Sequence, residues 1–288
     1  MSEICKNWTS WLKSTRFAYM DEEQLKQTMA WLISVRDEIL NLADLKENQK
    51  IADFGCGSGL LAFGVLERFQ NRVELIFSDK FKDCLDECKK ILNSSNTLNN
   101  AYFLQSDITD IKLKDNYLDR ALTRSVLVHV LDKQKAFCEL YRVLKKGGYY
   151  CAFEPIISQN TRYSELTNQD EISDYNDFKK AEDEFMEAKG DPLVNFNSDS
   201  LKENMENAGF SEINLDIKIV SSTYTPQKEA VKTWFNIPPA PGQRTMKDRF
   251  LDYFDEKKVD NYILEVQEAL SGKEININSK TAHIKAGK

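Results

Sequence analysis

Nine consecutive residues, Ile51-Ala52-Asp53-Phe54-Gly55-Cys56-Gly57-Ser58-Gly59, constrain the fold more than any other stretch of the chain. Lys50 to Phe54 reads as a short strand and Leu60 to Phe69 as a helix, so the glycines form the turn between them. Three glycines within five residues are more than a turn requires. Lacking a Cβ, they adopt backbone angles closed to other residues and let a ligand approach the main chain. In doubly wound α/β folds, such a turn at the carboxyl edge of the sheet is where nucleotide-like ligands bind.

The pattern around this loop repeats. Val73 to Ser78 reads as a second strand, followed by a helix whose buried face carries Phe81, Leu85, Cys88 and Leu92. Ala101 to Gln105 and Leu118 to Thr123 read as strands three and four. A helix from Lys133 is expected to end on Gly147-Gly148, and Tyr149 to Phe153 to form strand five. Strands alternating with helices imply parallel pairing, because a parallel connection needs a crossover. Upstream, Asp21 and Gln24 have the spacing of a capping box, and Leu25, Met29, Leu32, Ile33, Ile39 and Leu40 recur with helical spacing. Downstream, a helix is expected around Asp177 to Lys189 and another from Ser198 to Gly209. Ile213, Leu215, Ile217 and Ile219 alternate as in a half-buried strand, and Lys280 to Lys285 would close the sheet.

At 288 residues, with 41% hydrophobic and 11% aromatic residues, the chain can bury a substantial core. A net charge of −7 without a basic stripe weighs against nucleic acid as a partner. No apolar run approaches the roughly 20 residues of a membrane span, and the first residues lack the order of a secretory signal. The cysteines are scattered, and Cys84 with Cys88 supplies too few ligands for zinc, so packing is the expected role and no metal is expected. A cytoplasmic protein is the expectation.

The loop itself discriminates among ligands. A dinucleotide fingerprint would place Gly or Ala three residues after Gly57, where this chain has Leu60, and a P-loop would end in Gly-Lys-Ser/Thr. Asp53, two residues before the first glycine, would repel a pyrophosphate and suits a ligand bearing an ammonium group. The run Asp53-Phe54-Gly55-Cys56-Gly57-Ser58-Gly59 resembles the first motif of class I S-adenosylmethionine-dependent methyltransferases. Three further segments resemble later motifs of that family, in order: Asp79-Lys80 after strand two, Ser106-Asp107-Ile108 after strand three, and Thr123 to His129 after strand four. Tyr141 to Gly148 resembles its helix and turn before strand five.

The resemblance covers residues 45–155 and, more loosely, 198–220. It implies a doubly wound, mostly parallel, seven-stranded Rossmann-like sheet ordered 3-2-1-4-5-7-6 with its last strand antiparallel. One domain is expected over residues 1–288: an N-terminal helical cap to residue 45, a cofactor-binding core at 46–155, a helical lid insertion at 156–197, and sheet completion with a further insertion at 198–288. The implied cofactor is S-adenosyl-L-methionine, leaving as S-adenosyl-L-homocysteine. Its implied binding residues are Asp53, Gly55, Cys56, Gly57, Gly59, Asp79, Lys80, Ser106, Asp107, Ile108, Arg124 and Ser125, with Arg16 and Tyr19 closing over it from the N-terminal cap. Asp79 would hold the ribose hydroxyls or cap the next helix, and Asp107 would meet the adenine amino group or only water.

His129 and Glu154 are the candidate catalytic residues, His129 as a proton acceptor or a packing residue and Glu154 as a group orienting a substrate or facing solvent. The fourth motif lacks the Asn/Asp-Pro-Pro-Tyr/Phe run of enzymes that methylate nucleobase or amide amino groups, and Cys151 reads as a buried strand residue. The expected reaction is therefore methylation of an O, N, S or C nucleophile on a small molecule. A protein or RNA methyltransferase and a non-catalytic cofactor-binding protein are the alternatives. The aromatic residues of 156–197 and 226–278 are expected to pack added helices rather than line a pocket, and nothing in the sequence fixes an oligomeric state.

Overall fold

A computed structural model describes residues 8–10, 21–94, 100–238 and 243–288. The chain divides into two compact units, the first comprising Met1–Glu154, Ser198–Ile217 and Ala282–Lys288, the second Pro155–Asn197 and Lys218–Thr281.

In the first unit, helix α1 (Glu22–Leu42) begins with the expected box: Asp21 accepts from Gln24 N–H and the Gln24 side chain accepts from Asp21 N–H. Its buried face, from Leu25 to Leu40, packs on α2 (Leu60–Phe69), and Arg36 reaches Glu67 at 3.1 Å. Strands β1 (Lys50–Phe54), β2 (Glu74–Asp79), β3 (Ala101–Gln105) and β4 (Leu118–Arg124) pair in parallel, with α3 (Lys82–Ser94) connecting β2 to β3. Phe63, Phe77 and Phe103 form a continuous aromatic contact from α2 across β2 to β3, with centroid distances of 5.4 and 4.9 Å. The two strands flanking β1 present mostly buried residues, as expected where both sheet faces are covered.

Helix α4 (Lys133–Val143) is followed directly by β5 (Leu144–Pro155), which corrects the expected boundary. Leu144 pairs with Leu118 and Tyr149 with Arg120, so Gly147-Gly148 sits in a bulge of β5 instead of capping the helix. Gly147 has φ +77°, the left-handed geometry that serves either purpose.

Helix α7 (Ser198–Ala208), which ends before Gly209, precedes β6 (Glu212–Tyr224), and β7 (Ile275–Gly287) completes the sheet in the order β3-β2-β1-β4-β5-β7-β6, as expected. β7 runs antiparallel to β5: Lys288 exchanges hydrogen bonds with Gly147 and Gly148, while Ile156 N–H donates to Lys280. β7 thus lies between β5 and β6, next to the strand that precedes it in the chain.

The second unit contains α5 (Tyr163–Leu166), α6 (Tyr175–Met186), α8 (Lys228–Asn236), α9 (Met246–Phe250) and α10 (Glu256–Leu270). Phe178 stacks on Tyr262 with centroids 3.9 Å apart and also meets Phe250 and Phe254; Tyr163 stacks on Phe235 at 4.5 Å. Glu182, 1% exposed, accepts from the N–H groups of Tyr163 and Ser164, tying α6 to the start of α5. The aromatic residues of the two long sequence stretches thus form this unit's own core, as their spacing led us to expect.

Candidate functional site

Chain direction brings the loops after β1, β2, β3 and β4 to one edge of the first unit's sheet. Cys56 N–H donates to Ser78 O, and Gly59 N–H closes back on Cys56 O at 2.7 Å before α2 begins. Gly55 has φ +64°, and a Cβ there would stand 2.5 Å from Val126 Cγ2, so glycine is required by the close approach of the loop after β4. Gly57 has φ +49°, but its missing Cβ would meet nothing nearer than Gly55 O at 4.0 Å. The loop is therefore packed at its first glycine and open at its second, a cradle that suits a ligand.

Asp79, 6% exposed, links this cradle to the next helix. Its Oδ2 accepts from Gly57 N–H at 3.0 Å and its Oδ1 from Phe81 N–H at 2.9 Å. Both roles weighed for it therefore have a basis, since each oxygen retains a second lone pair for a hydroxyl. Lys80 is exposed, its ammonium 5.0 Å from the Phe81 ring centre.

Asp53 lies elsewhere than expected. It is 2% exposed beneath the loop, and its Oδ2 accepts from Ala62 N–H at 3.0 Å in the first turn of α2. Burial, and secondarily the charge of Asp79, push its carboxyl up to about 8 despite the Ala62 bond, which favours the charged form. Asp53 braces the strand–helix junction and presents no carboxylate at the surface. Cys56 is also buried; its contact with the Cys88 thiol, then burial, raise its thiol far above the ordinary range.

At the end of β3, Ser106 is buried, donates to Asp110 O at 3.0 Å and accepts from Lys112 N–H. Ile108 is 7% exposed, whereas Asp107 is exposed. Desolvation would raise the Asp107 carboxyl, but the N–H and hydroxyl of Thr109 together with Lys80 and Lys135 outweigh it and hold it below the usual range. A carboxylate beside an apolar side chain suits an amino group on a flat ring.

The loop after β4 is held with unusual tightness. Ser125 adopts φ +54°, sparsely populated for a residue with a side chain, and donates its N–H to Phe153 O at 2.8 Å. Glu154 is fully buried. Its Oε1 accepts from Thr123 Oγ1 at 3.2 Å and Val126 N–H at 3.0 Å, its Oε2 from Val128 N–H at 3.3 Å. Burial raises its carboxyl and these donors pull the other way. Glu154 thus faces neither solvent nor an open site: it fixes the loop. Arg124 carries its guanidinium over the Trp31 ring at 5.3 Å. His129, on a 3₁₀ turn, is exposed, and partial desolvation followed by the charges of Lys80 and Lys133 lowers its imidazole below the usual value.

Arg16 and Tyr19 lie outside the described residues. Of the other residues singled out in the sequence, the structure gathers the glycine loop, Asp79, the Ser106–Ile108 segment and the Arg124–His129 segment at one edge, while Asp53 and Glu154 support it from within. Sequence reasoning assigned no role at the site to Trp31 or to Trp8, whose indole donates to Ser58 O at 2.8 Å. No periodicity or motif marks a contact made across 50 residues. Cys151 is buried as expected, which pushes its thiol up to about 12 and leaves it unsuited to act as a nucleophile. No helix among the described residues is long and apolar enough to cross a membrane.

Comparison with known proteins agrees with this arrangement. Residues 52–152 match the family model described as a methyltransferase domain. An uncharacterized methyltransferase of Schizosaccharomyces pombe is 31% identical over 138 residues, covering 46% of this chain and 49% of that protein. The 2-methyl-6-phytyl-1,4-hydroquinone methyltransferase of Arabidopsis thaliana is 27% identical over 135 residues, covering 44% and 36%. The chain thus spans about half or less of the length of these curated relatives. Among solved structures, a provisionally assigned methyltransferase of Bacillus halodurans superposes with a TM-score of 0.57 at 17% identity, covering 88% of this chain and 99% of that one. Residues 52–152 thus match a methyltransferase domain, and the shared fold with the glycine loop and its acidic residue on β2 is similar to that of class I S-adenosylmethionine-dependent methyltransferases.

Proposed function

We propose that this protein transfers the methyl group of S-adenosyl-L-methionine to a small-molecule acceptor. The observation that carries the proposal is the open face of Gly57, bordered by the Asp79 carboxylate. Bound there, the cofactor would supply a sulfonium-activated methyl carbon with a neutral thioether as leaving group.

In this reading the backbone of Gly55, Cys56, Gly57 and Gly59 lines the cofactor, and Asp79 accepts from its vicinal hydroxyls, with Lys80 alongside. Asp107 accepts from an amino group while Ser106 and Ile108 bound the ring. Asp53 contributes by anchoring α2 behind the loop. Arg124, Ser125 and the residues up to His129 flank the acceptor, held in register by Glu154. Arg16 and Tyr19 remain candidates for closing over the cofactor.

Displacement at a sulfonium needs alignment of nucleophile, methyl carbon and sulfur, and exclusion of water, more than it needs acid–base chemistry. The tethering of Val126 and Val128 to a buried carboxylate meets that need by fixing one wall. Where the nucleophile must lose a proton, His129 would take it, since partial desolvation and the charges of Lys80 and Lys133 lower its imidazole and favour the neutral form. The hydroquinone methyltransferase among the relatives and the net charge of −7 both favour a small molecule over nucleic acid.

Calorimetric titration with S-adenosylmethionine and S-adenosylhomocysteine tests the first half of the proposal. Micromolar binding to the wild type, lost in a folded Asp79→Ala variant, is expected; no binding by the wild type refutes it. Transfer of a labelled methyl group to members of a phenol, amine and thiol panel tests the second half. Transfer to RNA or protein alone would overturn the small-molecule assignment.

A further inference from the structure

Two consecutive carbonyls of the glycine loop are held by side chains from outside it. Cys88, on α3, places its Sγ 3.3 Å from Gly57 O, and Trp8 donates its indole N–H to Ser58 O at 2.8 Å. Both side chains are buried, Cys88 completely and Trp8 to within 2%. The Gly57 N–H is taken by Asp79 and the Gly59 N–H by Cys56 O at 2.7 Å.

The geometry of the peptide unit gives these contacts a consequence. In a trans peptide the carbonyl and the next residue's N–H point in opposite directions. With Ser58 O directed at Trp8, the Gly59 N–H is turned the other way, where it closes the tight turn on Cys56 O. With Gly57 O directed at Cys88, the Ser58 N–H is turned away from the core. Of the two donors on the carbonyls, the indole is the stronger, since a thiol is a weak donor. Burial also shields the indole bond from competing water.

We infer that Trp8 is a positioning residue for the cofactor: its indole N–H pins the Ser58 carbonyl and so sets the two peptide planes on either side of Ser58 before any ligand arrives. The inference rests on the proposal that this loop holds the cofactor. The work Trp8 does is preorganisation, sparing the ligand the cost of ordering the loop. Its effect falls on cofactor affinity and leaves the chemical step alone, since it touches the loop from behind.

The test compares the wild type with Trp8→Phe and with a variant carrying benzothienylalanine at position 8, which keeps the shape of indole but has no N–H. Three quantities are read in each: amide hydrogen exchange of residues 55–60 without ligand, the S-adenosylmethionine dissociation constant by calorimetry, and turnover at saturating cofactor. Both variants should exchange faster at Ser58 and Gly59. Their dissociation constants should rise about three- to tenfold, the range for one net hydrogen bond, while turnover at saturating cofactor stays within about twofold. If Trp8→Phe fails to fold, the benzothienyl variant decides. Unchanged exchange and unchanged affinity in that variant overturn the inference. A wild type that does not bind the cofactor refutes the proposed function, while the exchange data still decide whether Trp8 pins the loop.

Discussion

Substituting Gly55 by alanine is the most direct test of how the loops after β1 and β4 are fitted together. The new Cβ would lie 2.5 Å from Val126 Cγ2, 3.0 Å from Cγ1 and 3.3 Å from Cβ. Real carbon atoms do not approach to the first distance, and a valine is stiff at χ1, so its methyl groups cannot rotate out of the way cheaply. Val126 is also held through its own N–H, which donates to buried Glu154 at 3.0 Å, so the backbone cannot retreat without breaking that bond. Overpacking of this kind costs about 1–3 kcal/mol. Holding alanine at φ +64° adds about 1–2 kcal/mol. The sum is about 2–5 kcal/mol for Gly55→Ala.

The two contributions separate in a double-mutant cycle. Val126→Ala removes both Cγ atoms, so Gly55→Ala in that background should cost only the backbone part, about 1–2 kcal/mol. The coupling energy between the sites is then about 1–3 kcal/mol, within the range for residues in contact. Urea unfolding of the four proteins, followed by the fluorescence and circular dichroism of each, supplies the numbers. A Gly55→Ala variant within 0.5 kcal/mol of wild type would refute the packing argument. So would a full cost that persists in the Val126→Ala background, because the loss would then lie in the backbone alone.

Three further outcomes follow from the same edge of the sheet. Glu154→Ala leaves the N–H groups of Val126 and Val128 without their acceptor in a buried site; it should cost about 3–5 kcal/mol in urea unfolding, with Glu154→Gln milder because one carbonyl oxygen remains. Asp53 has a carboxyl raised to about 8 in the folded state from 3.8, so its stabilising protonated form is fully retained below about pH 4 and lost as pH rises through 8. Urea unfolding between pH 5 and 9 should therefore show stability falling by up to about 1.4 kcal/mol per pH unit, and Asp53→Asn should flatten that slope; an unaltered slope would exclude Asp53 as its source. For an acceptor that loses a proton, the acid limb of the rate profile should lie below pH 6.5, where the lowered imidazole of His129 titrates, and vanish in His129→Asn; a limb that survives assigns the base elsewhere.

What could be read from the sequence and what could not divides along a physical line. Parallel pairing followed from strands alternating with helices, because parallel neighbours need crossovers, whereas the strand order was what the family resemblance implied. The glycine loop was legible because positive φ is a demand the backbone makes locally, and only a few residue types meet it. Gly147-Gly148 shows the limit of that logic. The same left-handed geometry serves a helix cap and a strand bulge, and the choice between them was made by pairing of Leu144 and Tyr149 with β4, some 26 to 29 residues away. Asp53 and Glu154 show a different limit. Each is visible as a carboxylate near a motif, yet its role is fixed by backbone N–H groups that converge on it from another element: Ala62 for the one, Val126 and Val128 for the other. A carboxylate placed to meet a ligand and one placed to meet a buried amide look alike in a sequence, since both sit at strand ends beside glycines and turns. What separates them is whether the chain folds an amide or open space against the side chain. At this edge it folds amides against Asp53 and Glu154, while Asp79 meets amides and still borders the open face of Gly57. The residues that shape the site are therefore distinct from those that would touch a ligand, and substitutions at the supporting carboxylates should act on stability and loop geometry first, on chemistry only through them.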